Sequence, residues 1–313
     1  MRPARRLIFA LIGLVVLDQF VPEVLRRAEH HRYEETRAFR FESSDLFGLG
    51  PLVSYLGEHP PGDRPRIVFL GNSTLFGLDL AAAEAVPGQF QRLHPDTQVF
   101  NAAINGFDLG SNYRIARAMI GSVDRFYVMR GTAVVNPLLA SLIPLDDYEA
   151  AALHLERQNV LEGQLQSIAG LWRLYAASYR LQAALFGTST QQFLHRLTRP
   201  AAMTVHGSAD GAVEVIRSRS TIPPTVQRQA ELRKQDGLLW SLAELVSEHR
   251  RRVIILQIGA PTPGAIGEPE IAEFNAAFAP YAEIVTLVIA PALKFDPQHL
   301  TAVGARRVAE ALP

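Results

Sequence analysis

Residues Arg66 to Gly71 read RIVFLG, an apolar run without the in-and-out alternation of a strand that has one wet face. Such a run marks a strand covered on both sides, which restricts the chain to layered folds in which helices pack on both faces of a sheet. Comparable runs recur at Thr97 to Ala103, within Val123 to Val135, at Val253 to Ile258 and at Ile284 to Ile289, with helical patterns between most of them. Strands alternating with helices give βαβ units joined by right-handed crossovers. The expected fold class is α/β, a three-layer fold with a parallel sheet of about five strands. With 313 residues, 48% of them apolar, the chain has ample material for its core.

The gap between the third and fourth strands is long, and a mainly helical insertion is expected at about 138–248. Leu161, Leu165, Ile168, Trp172, Tyr175 and Tyr179 follow a 4-3-4-3-4 spacing, which places them on one stripe of a long helix whose natural fate is core packing. Thr188 to Thr225 is richer in Ser, Thr, Gly, Pro and Arg and reads as irregular, with Pro223 and Pro224 ahead of a helix running to about His249.

At the N-terminus, Arg2, Arg5 and Arg6 precede the apolar run Leu7 to Leu17, the pattern of a signal sequence or signal anchor. The run continues into LDQFVPEVL rather than a small-x-small cleavage site, so an uncleaved anchor over 1–25 is expected. The run is short for a hydrocarbon core of about 30 Å unless Pro22 to Leu25 extend the helix. A juxtamembrane linker is expected over 26–63, with a domain over 64–313 lying outside the cytoplasm.

Lys plus Arg and Asp plus Glu number 31 each, which leaves no electrostatic footprint for nucleic acid. The absence of cysteine removes disulfides, thiolate catalysis and Cys-type zinc sites together. His30, His31, His154, His195, His206 and His249 are scattered without metal-ligand spacing, so neither metal nor cofactor is expected.

The first strand runs through Gly71, Asn72 and Ser73 into a helical pattern, which puts Ser73 in a strand-to-helix turn at the carboxyl end of the sheet. Open α/β folds place their ligand sites at that edge. Ser73 or Thr74 there also suits a helix N-cap. After the last strand comes KFDPQHLTAVGARRVAEAL, in which Asp296 and His299 stand three residues apart. A serine nucleophile needs a general base, and an imidazole base needs a carboxylate to fix its tautomer. One turn holding both groups, after the last strand, meets Ser73 after the first at the same sheet edge.

With Gly71, Asn72, Ser73 and Gly77 at one end and Asp296, His299, Thr301 and Gly304 at the other, the chain resembles the SGNH (GDSL-like) hydrolases and O-acyltransferases over about Arg66 to Leu312. Asn72 stands where that family has Asp. The resemblance implies a flavodoxin-like arrangement, catalytic Ser73, Asp296 and His299, and an oxyanion hole built from the Ser73 N–H, a glycine N–H and an asparagine side chain. Gly106, in NAAINGFD, takes the glycine's place and serves equally as a turn glycine. The third block departs from the pattern: Asn136 is the nearest asparagine in YVMRGTAVVNPLL, yet taking Gly131 as the block's glycine puts Ala133 where Asn belongs. In that case only backbone donors remain, with Arg130 as a source of charge.

The resemblance implies ester hydrolysis or O-acyl transfer, with an acetyl group expected, on an acylated small molecule or a cell-envelope glycan. The implied partners are the membrane, through the N-terminal helix, and a multi-spanning membrane O-acyltransferase or other membrane complex. The degenerate third block also admits a catalytically inactive subunit of such a complex.

Overall fold

Continuous apolar strands need a helical cover on each side, and the chain supplies it. The computed structural model describes residues 3–36, 39–40, 49–59, 62–103, 109–130, 172, 174, 211–216, 225–259, 268–296 and 299–313. Among these, one sheet holds β1 (Phe39–Arg40), β2 (Arg66–Leu70), β3 (Gln98–Asn101), β4 (Arg125–Met129), β5 (Val213–Ile216), β6 (Arg252–Gly259) and β7 (Glu283–Ile289), in the order β1-β3-β2-β4-β6-β7-β5. All neighbours are parallel except β5, which runs antiparallel to β7. The five central strands, numbered by their own sequence, read 2-1-3-4-5, the flavodoxin-like doubly wound order.

The strands' two faces separate the core into two layers. Val68, Leu70, Phe100, Phe126, Val128, Val253 and Ile255 point to one side, under α2 (Leu49–Glu58), α5 (Leu109–Met119), α7 (Gly237–Glu248) and α8 (Glu268–Phe278). Ile67, Phe69, Val99, Tyr127, Ile254, Leu256, Val285 and Leu287 point to the other, under α3 (Ser73–Phe76), α4 (Val86–Leu93) and α9 (Ala302–Ala311). A period of two inside an unbroken apolar run is what burial on both faces produces.

Four expectations change. β5 lies inside the stretch read as irregular, and four residues are too few to show a pattern among Ser and Arg. The helix after Pro224 is two, α6 (Val226–Gln235) and α7, parted at Asp236. The stretch assigned to a linker holds β1 and α2, and α2 buries Leu52, Tyr55 and Leu56 in the core, with Tyr55 against Phe100. Its flanking Gly and Pro masked that apolar pattern. Finally α1 (Pro3–Thr36) runs through Pro22, so the apolar stretch lengthens to the 19 residues Leu7–Leu25, of which Leu25 alone is buried. At about 1.5 Å per residue this gives about 28 Å, close to a hydrocarbon core.

Of the aromatic stripe, Trp172 alone is among the described residues, and it is 41% exposed rather than core. Leu161, Leu165, Ile168, Tyr175 and Tyr179 lie outside them.

Candidate active site

The turn after β2 is shaped by its own side chains. Asn72 caps the four-residue α3, its Oδ1 accepting from the Thr74 N–H at 3.0 Å. That leaves the Ser73 N–H without a hydrogen bond among the described residues and the Ser73 side chain half-buried at the sheet's carboxyl edge. Gly77 closes the helix at φ 77°, a left-handed conformation that costs glycine nothing, and its N–H donates to the Ser73 carbonyl. The Asn101 side chain, 2% exposed at the end of β3, fastens α3 from outside. Its Nδ2 donates to the Leu75 and Phe76 carbonyls at 3.1 and 3.4 Å, and its Oδ1 accepts from the Ala103 N–H at 3.2 Å.

At the other end of the chain, an antiparallel bridge joins Lys294 to Leu300 ahead of α9. The Phe295 N–H donates to the His299 carbonyl at 3.1 Å, and Asp296 Oδ1 accepts from the His299 N–H at 2.8 Å. Thr301 caps α9, accepting from the Gly304 N–H at 3.1 Å and donating its hydroxyl to the Leu293 carbonyl at 3.1 Å. A Cβ on Gly304 would stand 2.1 Å from the Leu293 oxygen. The Thr and Gly of this segment are therefore what lets α9 seat directly against the strand-to-loop turn.

The two turns meet. His299 Nδ1 lies 2.7 Å from Asp296 Oδ2 and His299 Nε2 lies 2.8 Å from Ser73 Oγ, across 226 residues of sequence. An ionised carboxylate only accepts, so Nδ1 carries the ring proton, the neutral ring presents a lone pair at Nε2, and the serine hydroxyl donates to it. The imidazole and carboxylate side chains are 13% and 22% exposed, largely shielded from water yet open to a ligand. Phe295 stacks near-parallel to the imidazole, centroids 5.5 Å apart at 12°, and restricts its rotation. Burial pushes the Lys294 ammonium below its usual pKa, a shift the neighbouring Asp296 carboxylate opposes.

The structure thus brings Ser73, Asp296 and His299 together. Gly106 and Asn136, expected to complete an oxyanion hole, lie outside the described residues, as do Gly131 and Ala133. Arg130 is committed elsewhere: it donates to Asp236 Oδ1 at 3.3 Å and Oδ2 at 2.8 Å, and lies 3.9 Å above the Phe274 ring. Sequence reasoning passed over Asn101 and Phe295. A polar residue ending an otherwise apolar strand was the available signal for Asn101, whereas nothing local marked Phe295 as a stacking partner. Among the described residues no group of three or more His, Asp or Glu could hold a metal ion.

No family model matches the chain, and no curated protein matches its sequence. Among solved structures it is similar to AlinE4, an SGNH-hydrolase family esterase, at 17% identity over 59% of this chain and 98% of that one, with a TM-score of 0.21. So loose a superposition decides nothing about activity, and the functional reading stands on side-chain geometry.

Proposed function

We propose that the chain is a serine-dependent ester hydrolase or O-acyl transferase, held at a membrane by α1 with its domain outside the cytoplasm. The observation that carries the reading is the continuous hydrogen-bonded line from Asp296 through His299 to Ser73. Ser73 Oγ attacks the acyl carbonyl while His299 Nε2 takes its proton, and Asp296 stabilises the imidazolium that forms. His299 returns the proton to the departing alkoxide, leaving an acyl-serine. Water or a glycan hydroxyl, deprotonated by the same imidazole, then removes the acyl group. The Ser73 N–H is the proposed oxyanion donor, with Gly106 and Asn136 as its proposed companions. An acetyl group on a cell-envelope glycan is the proposed cargo, with a multi-spanning acyltransferase as the proposed partner.

The test is turnover of p-nitrophenyl esters by the detergent-solubilised full chain, together with covalent labelling by a fluorophosphonate. Turnover and an adduct mapped to Ser73, both absent in Ser73→Ala, are expected. A folded protein that shows neither is a non-enzymatic subunit of a membrane complex.

Asn101 gives a second prediction. Asn101→Ala strips the donor from two carbonyls of α3 and is expected to cost about 2 kcal/mol of stability. By letting the nucleophile drift it should also lower kcat about tenfold while KM stays within about twofold. Steady-state kinetics of the folded variant separate the two constants, and an unchanged kcat removes Asn101 from any positioning role.

A further inference from the structure

We infer that Phe295 is a positioning residue for the second half of the reaction, its ring holding the His299 imidazole in place while Ser73 is acylated and can no longer do so itself. This rests on the serine-ester reading and adds which step each contact of His299 serves.

In the resting site three contacts fix the imidazole. Nδ1 lies 2.7 Å from Asp296 Oδ2, Nε2 lies 2.8 Å from Ser73 Oγ, and the Phe295 ring lies alongside with 5.5 Å between centroids and 12° between planes. Acylation removes one of the three. Once Ser73 Oγ carries the acyl group it has no hydrogen to donate, and a neutral imidazole that has passed its proton to the departing alkoxide has only a lone pair at Nε2. The line from Asp296 to Ser73 is then broken at its last link. What remains is one side-chain hydrogen bond at Nδ1, about which the ring can swing, and a stack whose strength depends on no proton.

The base under that stack is stiff. The Phe295 N–H donates to the His299 carbonyl at 3.1 Å, and the Lys294–Leu300 bridge brackets the pair. Leu293 and Leu300, on either side, are buried in the core beneath α9. An imidazole that withdraws from Ser73 therefore has to slide off a ring whose own backbone is tied down. Deacylation is run from the held position: water or a hydroxyl attacks the acyl carbon as Nε2 takes its proton. The tetrahedral intermediate then breaks its C–Oγ bond as Nε2 returns that proton to Ser73 Oγ, which leaves the ring neutral and the serine free. A stacked aromatic pair shifts a conformational equilibrium by about 2- to 12-fold. While Ser73 is free its hydroxyl backs up the stack and masks most of that factor, whereas in the acyl-enzyme the factor is expressed in full.

The reagent p-nitrophenyl N,N-dimethylcarbamate separates the two halves in the detergent-solubilised full chain. Release of p-nitrophenolate times the carbamoylation of Ser73, and its stoichiometric amplitude counts the folded sites. Return of fluorophosphonate labelling after the reagent is removed times decarbamoylation by water. Phe295→Leu and Phe295→Met, which keep an apolar side chain without a ring, are each expected to carbamoylate within about twofold of the parent and to decarbamoylate about five- to tenfold more slowly. Phe295→Tyr, which keeps the ring, is expected to match the parent within about twofold in both steps. Equal slowing of both steps by the ringless variants overturns the inference, because a general loosening of the triad does that. Decarbamoylation at the parental rate overturns it too, as does a Phe295→Tyr as slow as Phe295→Leu. A parent that neither reacts with the carbamate nor takes the fluorophosphonate at Ser73 overturns the serine-ester reading beneath it, before any variant is compared.

Discussion

Asp296→Asn is expected to lower ester turnover about 10^3- to 10^4-fold, at least as severely as Asp296→Ala, although asparagine is nearly isosteric. The carboxylate accepts twice, from the His299 backbone N–H at 2.8 Å and from the ring Nδ1–H at 2.7 Å. Asparagine has one accepting oxygen. If it serves the backbone, its amide hydrogens face Nδ1 and hold the ring in the tautomer whose Nε2 already bears a proton. His299 then has no lone pair for the Ser73 hydroxyl, and the arrangement is preserved in shape but disabled in chemistry. Alanine leaves the ring free to sample the useful tautomer. His299→Ala should lose about 10^4-fold or more, because no other group takes the serine proton. The check is kcat/KM on p-nitrophenyl acetate for the three variants at equal folded concentration. Retention of a tenth of the activity by Asp296→Asn would sink the assignment of Asp296.

Arg66→Met should destabilise the protein by about 3 to 5 kcal/mol while leaving the reactivity of Ser73 intact. The Arg66 side chain is 1% exposed at the start of β2. Its Nε donates to Gln98 Oε1 at 3.0 Å, its Nη1 to the Leu56 and Ser122 carbonyls at 3.4 and 3.5 Å, and its Nη2 to the His59 carbonyl. One guanidinium thereby ties the end of α2, the start of β3 and the turn after α5 to the central sheet. Methionine fills the volume but donates nothing, so buried and half-buried carbonyls from three segments lose this donor. Arg66→Lys should recover less than half of the loss, since a compact ammonium does not span the fork. For a domain of this size the shift in Tm is about 6 to 15 °C. Ser73 lies at the far end of the same strand, about 20 Å away by strand rise, so the rate of fluorophosphonate labelling in the folded variant should match the parent. A Tm within about 2 °C of the parent would show that water replaces the guanidinium.

The central sheet was legible in the sequence because each of its five parallel strands carries consecutive apolar residues, a signal that survives without any knowledge of neighbours. β1 and β5 were not, since two or four residues carry no period and acquire strand geometry only from the edge they pair with. The residues that meet at the candidate site could be picked out because each sits in a short segment with its own turn chemistry: Asn72 and Gly77 about Ser73, Thr301 and Gly304 behind His299. Asn101 and Arg66 were opaque for the opposite reason. Several of their partners are 25 to 56 residues away, and an arginine beginning a strand reads as solvent-facing until the fold brings carbonyls around it.

β5 has a use beyond closing the chain's long excursion. Without it, β7 would present an outer row of unpaired amides and carbonyls along Thr286 to Ile289, flanked by apolar side chains, which is the template on which sheets of separate molecules join. An antiparallel strand of four residues denies that template to other copies. Anyone shortening the protein for crystals or for solubility should therefore cut upstream of Gly211 and keep residues 211–216, since removing the whole stretch from 131 to 224 would exchange a compact product for an aggregating one.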